Sequence, residues 1–217
     1  MIRGAIFDVD GTLLDSMGEW KAIGERYLKS LGLTPKEDLG EAFKPLTLDQ
    51  AARYYQSHYG VSLSVEEIEE GINALIEEVY FVRAQLRPGV ESLLAELKRM
   101  GVRMVIATAT DRYLVEAALK RCGILHYFET IITCREAGSK RQPGIYETAL
   151  SALGTEKKDT WVFEDALHGA RTAAETGFPV LGIRDPTEEE QQALQAVSAV
   201  YLTDFTDPEP FWRAISL

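Results

Sequence analysis

Two aspartates separated by one residue, Asp8 and Asp10, directly follow a short apolar run at residues 5–7. Carboxylates this close to a buried strand end are costly to ionise, because they repel each other and lose their hydration. A Mg²⁺ ion, which prefers oxygen ligands, would offset that cost. The pair therefore indicates a magnesium site. The alternative is a pair of turn-forming aspartates, since Asp10 precedes Gly11 and Asp-Gly is a common turn sequence.

Groups suited to binding phosphate appear later in the chain. Thr108, Ala109 and Thr110 follow an apolar run, and their hydroxyl and backbone N–H groups can hold phosphate oxygens. The alternative for a threonine in this position is a helix N-cap. Lys140 stands just before a helical pattern and would neutralise both a carboxylate and a phosphate in an acidic cleft. Its alternative is an ordinary surface lysine.

A second acidic pair, Glu164 and Asp165, follows another apolar run. These carboxylates would complete a hard-cation site opposite Asp8 and Asp10. Their alternative is an N-cap for the helical pattern that comes next. Three of the four clusters stand directly after an apolar run, and Lys140 lies in a loop. This arrangement favours a single site over four coincidences.

The elements that must position these clusters alternate between strand and helix. Strand-length apolar runs stand at residues 4–7, 102–107, 160–163, 180–183 and 199–202, and helical patterns lie at residues 90–100, 112–122, 144–153 and 166–176. Short apolar strands that alternate with helices predict an α/β fold, a doubly wound parallel sheet covered on both faces. Ligands of such sheets bind beyond the carboxyl ends of the strands, where the two acidic pairs and the Thr108 cluster fall.

The alternation is interrupted between residues 16 and 87. This stretch has helical patterns at residues 19–30, 48–59 and 65–84, and no convincing strand run. We therefore predict two domains: an α/β catalytic core formed by residues 1–15 and 88–217, and an inserted α-helical cap domain at residues 16–87.

Composition restricts the partners of the chain. Its 217 residues include 34 Asp and Glu against 23 Lys and Arg, for a formal net charge of −11. Such a surface repels nucleic acid and anionic membranes. No apolar stretch is long enough to span a membrane, and Asp8 comes too early for a signal peptide. Cys122 and Cys134 lack the spacing of a metal site or a disulfide framework, so we expect the protein to be cytoplasmic. By default we expect it to be a monomer.

At this point the sequence resembles the haloacid dehalogenase-like hydrolases, in the branch of phosphoglycolate phosphatase and β-phosphoglucomutase, which carries a helical cap after the first strand. The matching positions are FDVDGTLLDS at residues 7–16, Thr108, Lys140 with Pro143 and Tyr146, and FED at residues 163–165 followed by Gly169. One departure is Arg141, where many relatives have proline. The resemblance implies the fold already predicted, with a Rossmann-like core.

The resemblance also implies catalytic roles. Asp8 would attack phosphorus and form an aspartyl-phosphate, while Asp10 would protonate the leaving oxygen and then activate water. The cofactor would be Mg²⁺, held by the Asp8 carboxylate, the Asp10 backbone carbonyl and Asp165, with Glu164 nearby.

The same resemblance implies a phosphate-binding set and a substrate class. The transferring phosphoryl group would be bound at Gly11, Thr108, Ala109 and Lys140, around Asp8. The substrate would be a small-molecule phosphomonoester, enclosed by the cap domain. Candidate substrate contacts in the cap are Trp20, Lys44, Arg53, Tyr54 and Tyr55.

Other functions fit these residues less well. A β-phosphoglucomutase-like sugar phosphomutase is the closest alternative, but aligning residues 43–48 with the cap loop of those relatives puts Leu48 where they carry arginine, and Thr12 is typical of phosphatases. Dehalogenases generally lack the second aspartate of the first motif, which is Asp10 in this sequence. Phospho-accepting receiver domains carry their aspartate on a middle strand, without an inserted cap. A non-catalytic binding protein stays as the last alternative.

Overall fold

The computed structural model describes residues 2–36, 39 and 48–216 of the chain. In chain order its strands are β1 (Gly4–Phe7), β2 (Leu14–Asp15), β3 (Gln85–Leu86), β4 (Arg103–Thr108), β5 (Ile131–Thr133), β6 (Thr160–Glu164), β7 (Val180–Ile183) and β8 (Val200–Leu202). The helices described are α1 (Met17–Ser30), α2 (Leu48–Tyr59), α3 (Val65–Glu78), α4 (Val90–Arg99), α5 (Arg112–Arg121), α6 (Cys134–Ala137), α7 (Gly144–Leu153), α8 (Leu167–Glu175), α9 (Gln191–Val197) and α10 (Glu209–Ser216).

The main sheet has six parallel strands in the order β5-β4-β1-β6-β7-β8. β1 lies between β4 and β6, and Phe7 at its end is in register with Ile106 and Phe163. The chain therefore winds outward from β1 in both directions, which confirms the predicted doubly wound parallel sheet. Residues that follow β1 therefore lie at the middle of the carboxyl edge of the sheet.

Both faces of the sheet are apolar, because the strands are apolar along their length and successive residues point to opposite sides. Ile6 belongs to a buried cluster on one face that includes Ile145 of α7 and Ala170 of α8. Phe7 points the other way and stacks on Phe163, with ring centroids 4.1 Å apart. Burial on both faces explains why these strands are continuous apolar runs.

The sequence analysis missed three strands. β5 has three residues, too few for an apolar run to be distinguished from a loop. β2 and β3 have two residues each and pair antiparallel, with Leu14 opposite Leu86. The expectation of no strand within residues 16–87 is therefore wrong at β3, because so short a strand is specified by its partner rather than by periodicity.

The chain divides into two compact units. One comprises Met1–Met17 with Ala84–Leu217 and contains the main sheet, and the other is Gly18–Arg83. In the described residues of the second unit the regular elements are helical, and the unit ends in a π-helical turn, Val79–Arg83. Its helix α3 begins with a capping box, in which Ser64 and Glu67 satisfy each other's backbone N–H groups. Residues 16, 17 and 84–87 of the predicted insertion belong to the sheet unit.

Among the described residues, every helix is too short or too polar to cross a lipid bilayer.

Candidate active site

Three carboxylates meet at the carboxyl edge of the sheet. Asp8 follows β1, Glu164 is the last residue of β6, and Asp165 follows it. One carboxylate oxygen from each residue lies within 4.8 Å of the others, and all three side chains are buried. Because β1 and β6 are adjacent and parallel, their carboxyl ends bring these acids together.

Lys140 provides a positive charge inside this cluster. Its ammonium donates to Asp8 Oδ1 and, at 2.9 Å, to Glu164 Oε2, and the residue is only 4% exposed. The lysine reaches the site from the segment between α6 and α7, whereas the acids come from the sheet. Three buried carboxylates therefore face one ammonium, which leaves an excess of negative charge.

The protonation of the site reflects that excess. Burial raises the pKa of the Asp8 carboxyl to about 6, although the nearby Lys140 ammonium lowers it in part. Burial, followed by the charges of Asp8 and Glu164, raises the pKa of Asp165 well above 3.8. Burial alone would lower the pKa of Lys140, but the two neighbouring carboxylates hold it well above 10.5, so its charge is retained.

The donor set fits a hard divalent cation. All three ligand groups are carboxylates, and Mg²⁺ prefers oxygen ligands and keeps several waters. A cation here would stabilise the ionised carboxylates of Asp8 and Asp165, whose pKa values burial raises. Thr12 supports this geometry, since its hydroxyl donates to Asp165 Oδ1 at 3.0 Å.

The Asp10 carboxylate lies outside the three-carboxylate group. Its two oxygens accept hydrogen bonds from the Ser16 hydroxyl at 2.6 Å and the Thr110 hydroxyl at 2.7 Å. Hydrogen bonds to both oxygens restrict its rotation. The structure thus separates the two aspartates: Asp8 joins the buried acids, and Asp10 is held between a residue before α1 and a residue after β4.

The predicted phosphate-binding residues occupy different surroundings. Thr108 ends β4 and is buried, and its hydroxyl oxygen accepts from the Thr110 N–H at 3.1 Å, so its own hydrogen can still be donated. Ala109 is exposed. The Gly11 N–H instead donates to the Leu14 carbonyl at 2.9 Å, within the turn.

Gly11 is required by close packing in that turn. Its φ is 81°, a left-handed conformation that favours glycine. A Cβ atom there would lie 2.1 Å from Asp165 Oδ2. The turn after β1 therefore sits directly against the acid that follows β6, and a side chain at residue 11 would push them apart.

Tyr146 and Gly169, both part of the family resemblance, surround Glu164. The Tyr146 hydroxyl donates to Glu164 Oε2 at 3.3 Å. A Cβ atom on Gly169 would lie 2.6 Å from the Glu164 carboxyl carbon, so glycine lets α8 approach it. These contacts orient Glu164 towards Lys140.

Two residues near the site were missed by the sequence analysis, Arg87 and Asp185. Both are buried, and the Arg87 guanidinium donates to the Gly11 carbonyl at 2.8 Å and to Asp185 Oδ2 at 3.2 Å. Asp185 stands just after β7, the kind of position that marked three of the four clusters. No comparable signal was available for Arg87, because its partners are distant in sequence.

The candidate substrate contacts of the helical unit have partners within that unit. Tyr55 is buried and donates to the Gly24 carbonyl at 2.9 Å, whereas Trp20 donates to the Tyr80 hydroxyl at 2.9 Å. Arg53 pairs with Asp49, and the Tyr54 ring stacks on His58. Lys44 lies outside the described residues, as do residues 43–47 of the alignment with the mutases, and Leu48 begins α2.

Comparisons with known proteins bear on the family of the chain. The family model described as "Haloacid dehalogenase-like hydrolase" matches residues 5–183. The chain is 29% identical over 218 residues to the "Probable pseudouridine-5'-phosphatase" of Drosophila melanogaster, covering 97% of this chain and 94% of the relative. It is 31% identical to protein CbbY of Cereibacter sphaeroides, covering 82% of each chain.

A solved structure matches with similar coverage. CbbY from Rhodobacter sphaeroides in complex with phosphate superimposes with a TM-score of 0.75 at 25% identity, covering 96% of each chain.

The chain belongs to the haloacid dehalogenase-like hydrolases, because the family model matches most of its length. The resemblance stated from the motifs is therefore confirmed. Within that family the chain is a phosphoric monoester hydrolase, as curated relatives named phosphatases indicate.

Proposed function

We propose that the protein is a Mg²⁺-dependent phosphatase that hydrolyses a small-molecule phosphomonoester through an aspartyl-phosphate on Asp8. The observation that carries the proposal is the contact of Asp8 with Lys140 inside a buried cluster of acids. A carboxylate beside an ammonium is suited to receive a phosphoryl group, because the cation offsets the charge that would otherwise repel the substrate.

The reaction proceeds in two steps. In the first, an Asp8 carboxylate oxygen forms a bond to phosphorus as the ester P–O bond breaks, and Asp10 gives its proton to the leaving alcohol oxygen. In the second, Asp10 takes a proton from water, whose oxygen attacks phosphorus and displaces the Asp8 carboxylate. Inorganic phosphate leaves, and Asp10 is protonated again. Hydrogen bonds from Ser16 and Thr110 keep the Asp10 carboxylate in place between the steps.

The remaining residues bind charge. The Thr108 hydroxyl, the Ala109 N–H and the Lys140 ammonium would hold the phosphoryl oxygens, and the role of Gly11 is to form the turn. Asp8, Asp165 and the Asp10 backbone carbonyl would hold Mg²⁺, with Glu164 beside them. When bound, Mg²⁺ supplies positive charge that stabilises the oxygens of the transferring phosphoryl group.

The helical insertion at residues 16–87 would act as a cap that selects the substrate. A cap of this kind would favour a small phosphoester over a phosphoprotein. The net charge of −11 disfavours nucleic-acid and membrane partners, which supports a cytoplasmic enzyme acting on metabolites.

The test is phosphate release from a panel of phosphoglycolate, sugar phosphates and nucleoside monophosphates, with and without Mg²⁺. We expect release from at least one ester, lost with EDTA and in Asp8→Asn. Glu156→Gln is the matched control, because Glu156 is an exposed acid paired with Lys158 and the change likewise replaces a carboxylate with an amide. Absence of release, with isomerisation of a sugar monophosphate primed by its bisphosphate, would instead assign a mutase.

A further inference from the structure

We infer that Arg87 and Asp185 form a clamp that positions Asp10 for proton transfer, by holding the Gly11 carbonyl from behind the active-site turn. This inference rests on the proposed function, in which Asp10 is the general acid. Neither residue belongs to the motifs that carry the family resemblance.

The Arg87 guanidinium joins three loops at the carboxyl edge of the sheet. It donates to the Gly11 carbonyl in the turn after β1, at 2.8 Å, and to the Arg184 carbonyl after β7, at 2.6 Å. A longer bond of 3.4 Å reaches the Thr203 carbonyl after β8. The Arg87 backbone also donates to the Leu13 carbonyl at 2.9 Å. One residue thus holds the turn after β1 by both backbone and side chain.

Asp185 holds the guanidinium in place from the other side. Its Oδ2 accepts from Arg87 at 3.2 Å and its Oδ1 accepts from the Thr187 N–H at 2.7 Å, so the carboxylate is anchored by both oxygens. The Arg87 and Asp185 side chains are 9% and 2% exposed. Asp185, in the loop after β7, thus forms a buried ion pair with the guanidinium that contacts the turn after β1.

Stability is a poor explanation for such a pair. Removing two charges from water costs much of what their attraction returns, and apolar replacements are often as stable. Here the cost is higher, because Arg87 Nε is buried and has no hydrogen-bond partner among the described residues. A planar group with fixed donor directions is suited instead to fixing the geometry of what it binds.

The Gly11 turn is where such fixing has a chemical effect. Gly11 has a φ of 81°, and glycine is the residue with the most conformational freedom. The Gly11 carbonyl belongs to the peptide that joins Gly11, the residue after Asp10, to Thr12, whose hydroxyl contacts Asp165. If that peptide rotated, the Asp10 carboxylate would move relative to the leaving group. The guanidinium prevents this rotation by holding the peptide carbonyl.

The experiment uses two esters that differ in their need for an acid. An alkyl phosphate hydrolysed by the wild type needs a proton on its leaving oxygen, whereas p-nitrophenyl phosphate releases a stable anion. For both esters kcat/KM reports the first phosphoryl transfer. We expect Arg87→Met to lower kcat/KM for the alkyl ester by about tenfold or more and for the nitrophenyl ester by less than about threefold. Asp10→Asn should show the same selectivity more strongly, and Arg87→Lys should recover part of the loss.

Two further variants separate positioning from folding. Arg87→Met leaves Asp185 buried without its partner, so Arg87→Met combined with Asp185→Asn removes that charge and should regain melting temperature but not alkyl-ester activity. Arg103→Met is the matched control, since Arg103 also joins a carboxylate, Glu129, to a backbone carbonyl, Leu153, at the other end of β4. We expect it to change both esters equally.

Equal losses on both esters in the Arg87 variants would overturn the clamp while leaving the phosphatase intact. If the wild type hydrolyses no alkyl phosphate of the panel and no p-nitrophenyl phosphate, the proposed function is overturned, and the clamp with it.

Discussion

Two clusters of charged side chains in this protein differ in balance and in exposure. In the helical unit, Arg26 bonds Glu19 and Glu78 at 2.8 Å each, and Arg83 bonds Glu19 at 2.8 Å and lies 3.7 Å from Glu78. Two arginines thus balance two glutamates, with side chains 22% to 44% exposed. Water screens such pairs, so they need no further ligand.

In the cluster at the carboxyl edge of the sheet, the charges are not balanced and the side chains are not exposed to solvent. Asp8, Glu164 and Asp165 face the single ammonium of Lys140, and the residues are 7% exposed or less. A charge excess that water cannot screen destabilises the fold unless another ion compensates it. The comparison teaches that an unbalanced buried cluster indicates a ligand site, whereas a balanced exposed one is part of the surface.

The largest effect is expected when the proposed nucleophile is removed. Asp8→Asn should lower turnover by roughly 10³-fold or more, because the amide cannot form the phosphoenzyme. The melting temperature should not fall, since a neutral amide reduces the buried charge excess. Phosphate-release assays and circular dichroism melts measure both. Near-normal turnover in this variant would refute the nucleophile assignment, and Glu96→Gln, at an exposed pair with Arg99, is the control.

The second test concerns the cation proposed to compensate the buried acids. EDTA should abolish phosphate release and Mg²⁺ should restore it, and Mg²⁺ alone should raise the melting temperature through binding to the folded state. Asp165→Asn should raise the Mg²⁺ concentration for half-maximal activity by about tenfold or more, because it removes one ligand. Activity that persists after exhaustive EDTA treatment would show that the acids serve another purpose.

A smaller effect is expected at the support of Asp10. Thr110→Val removes a hydroxyl that donates to Asp10 Oδ2 and should lower kcat by about three- to tenfold, with KM little changed. Steady-state kinetics with an alkyl phosphate measure the two parameters. Thr148→Val is the control, since its hydroxyl bonds a carbonyl of its own helix. A rise in KM with unchanged kcat would assign Thr110 to substrate binding instead.

The smallest effect is expected in the balanced cluster. Glu19→Gln should lower the free energy of unfolding by about 1 kcal/mol or less, and the difference should shrink in high salt. Urea unfolding at low and high ionic strength measures it, with Glu156→Gln, at an exposed pair with Lys158, as the control. A loss that persists in high salt would show that this network is not screened as its exposure implies.

Prediction from the sequence succeeded where the pattern is local. β1 and β7 match the predicted runs at residues 4–7 and 180–183, because strands buried on both faces are continuously apolar. β5 was missed because three residues carry no periodic signal. The two-residue strands β2 and β3 were missed for the same reason. They pair with each other although the helical unit lies between them in the sequence.

The site shows the same division. The types and positions of Asp8, Asp10, Thr108, Lys140 and the pair at residues 164 and 165 were all readable from the sequence, since they follow apolar runs or precede a helix. Their grouping was not readable. The separation of the Asp10 carboxylate from the three acids and the Arg87 clamp both depend on partners about 100 positions apart in the chain.

By itself, the sequence determined which reactive groups the protein carries and at which strand ends they stand, because residue chemistry and hydrophobic periodicity are local properties. Only the tertiary structure decided that Lys140 contacts Asp8, 132 positions away, and that the acids around them are buried. Burial and distance set the pKa values and the charge excess of the site. Both arise only when the folded sheet brings distant segments together and excludes water from between them.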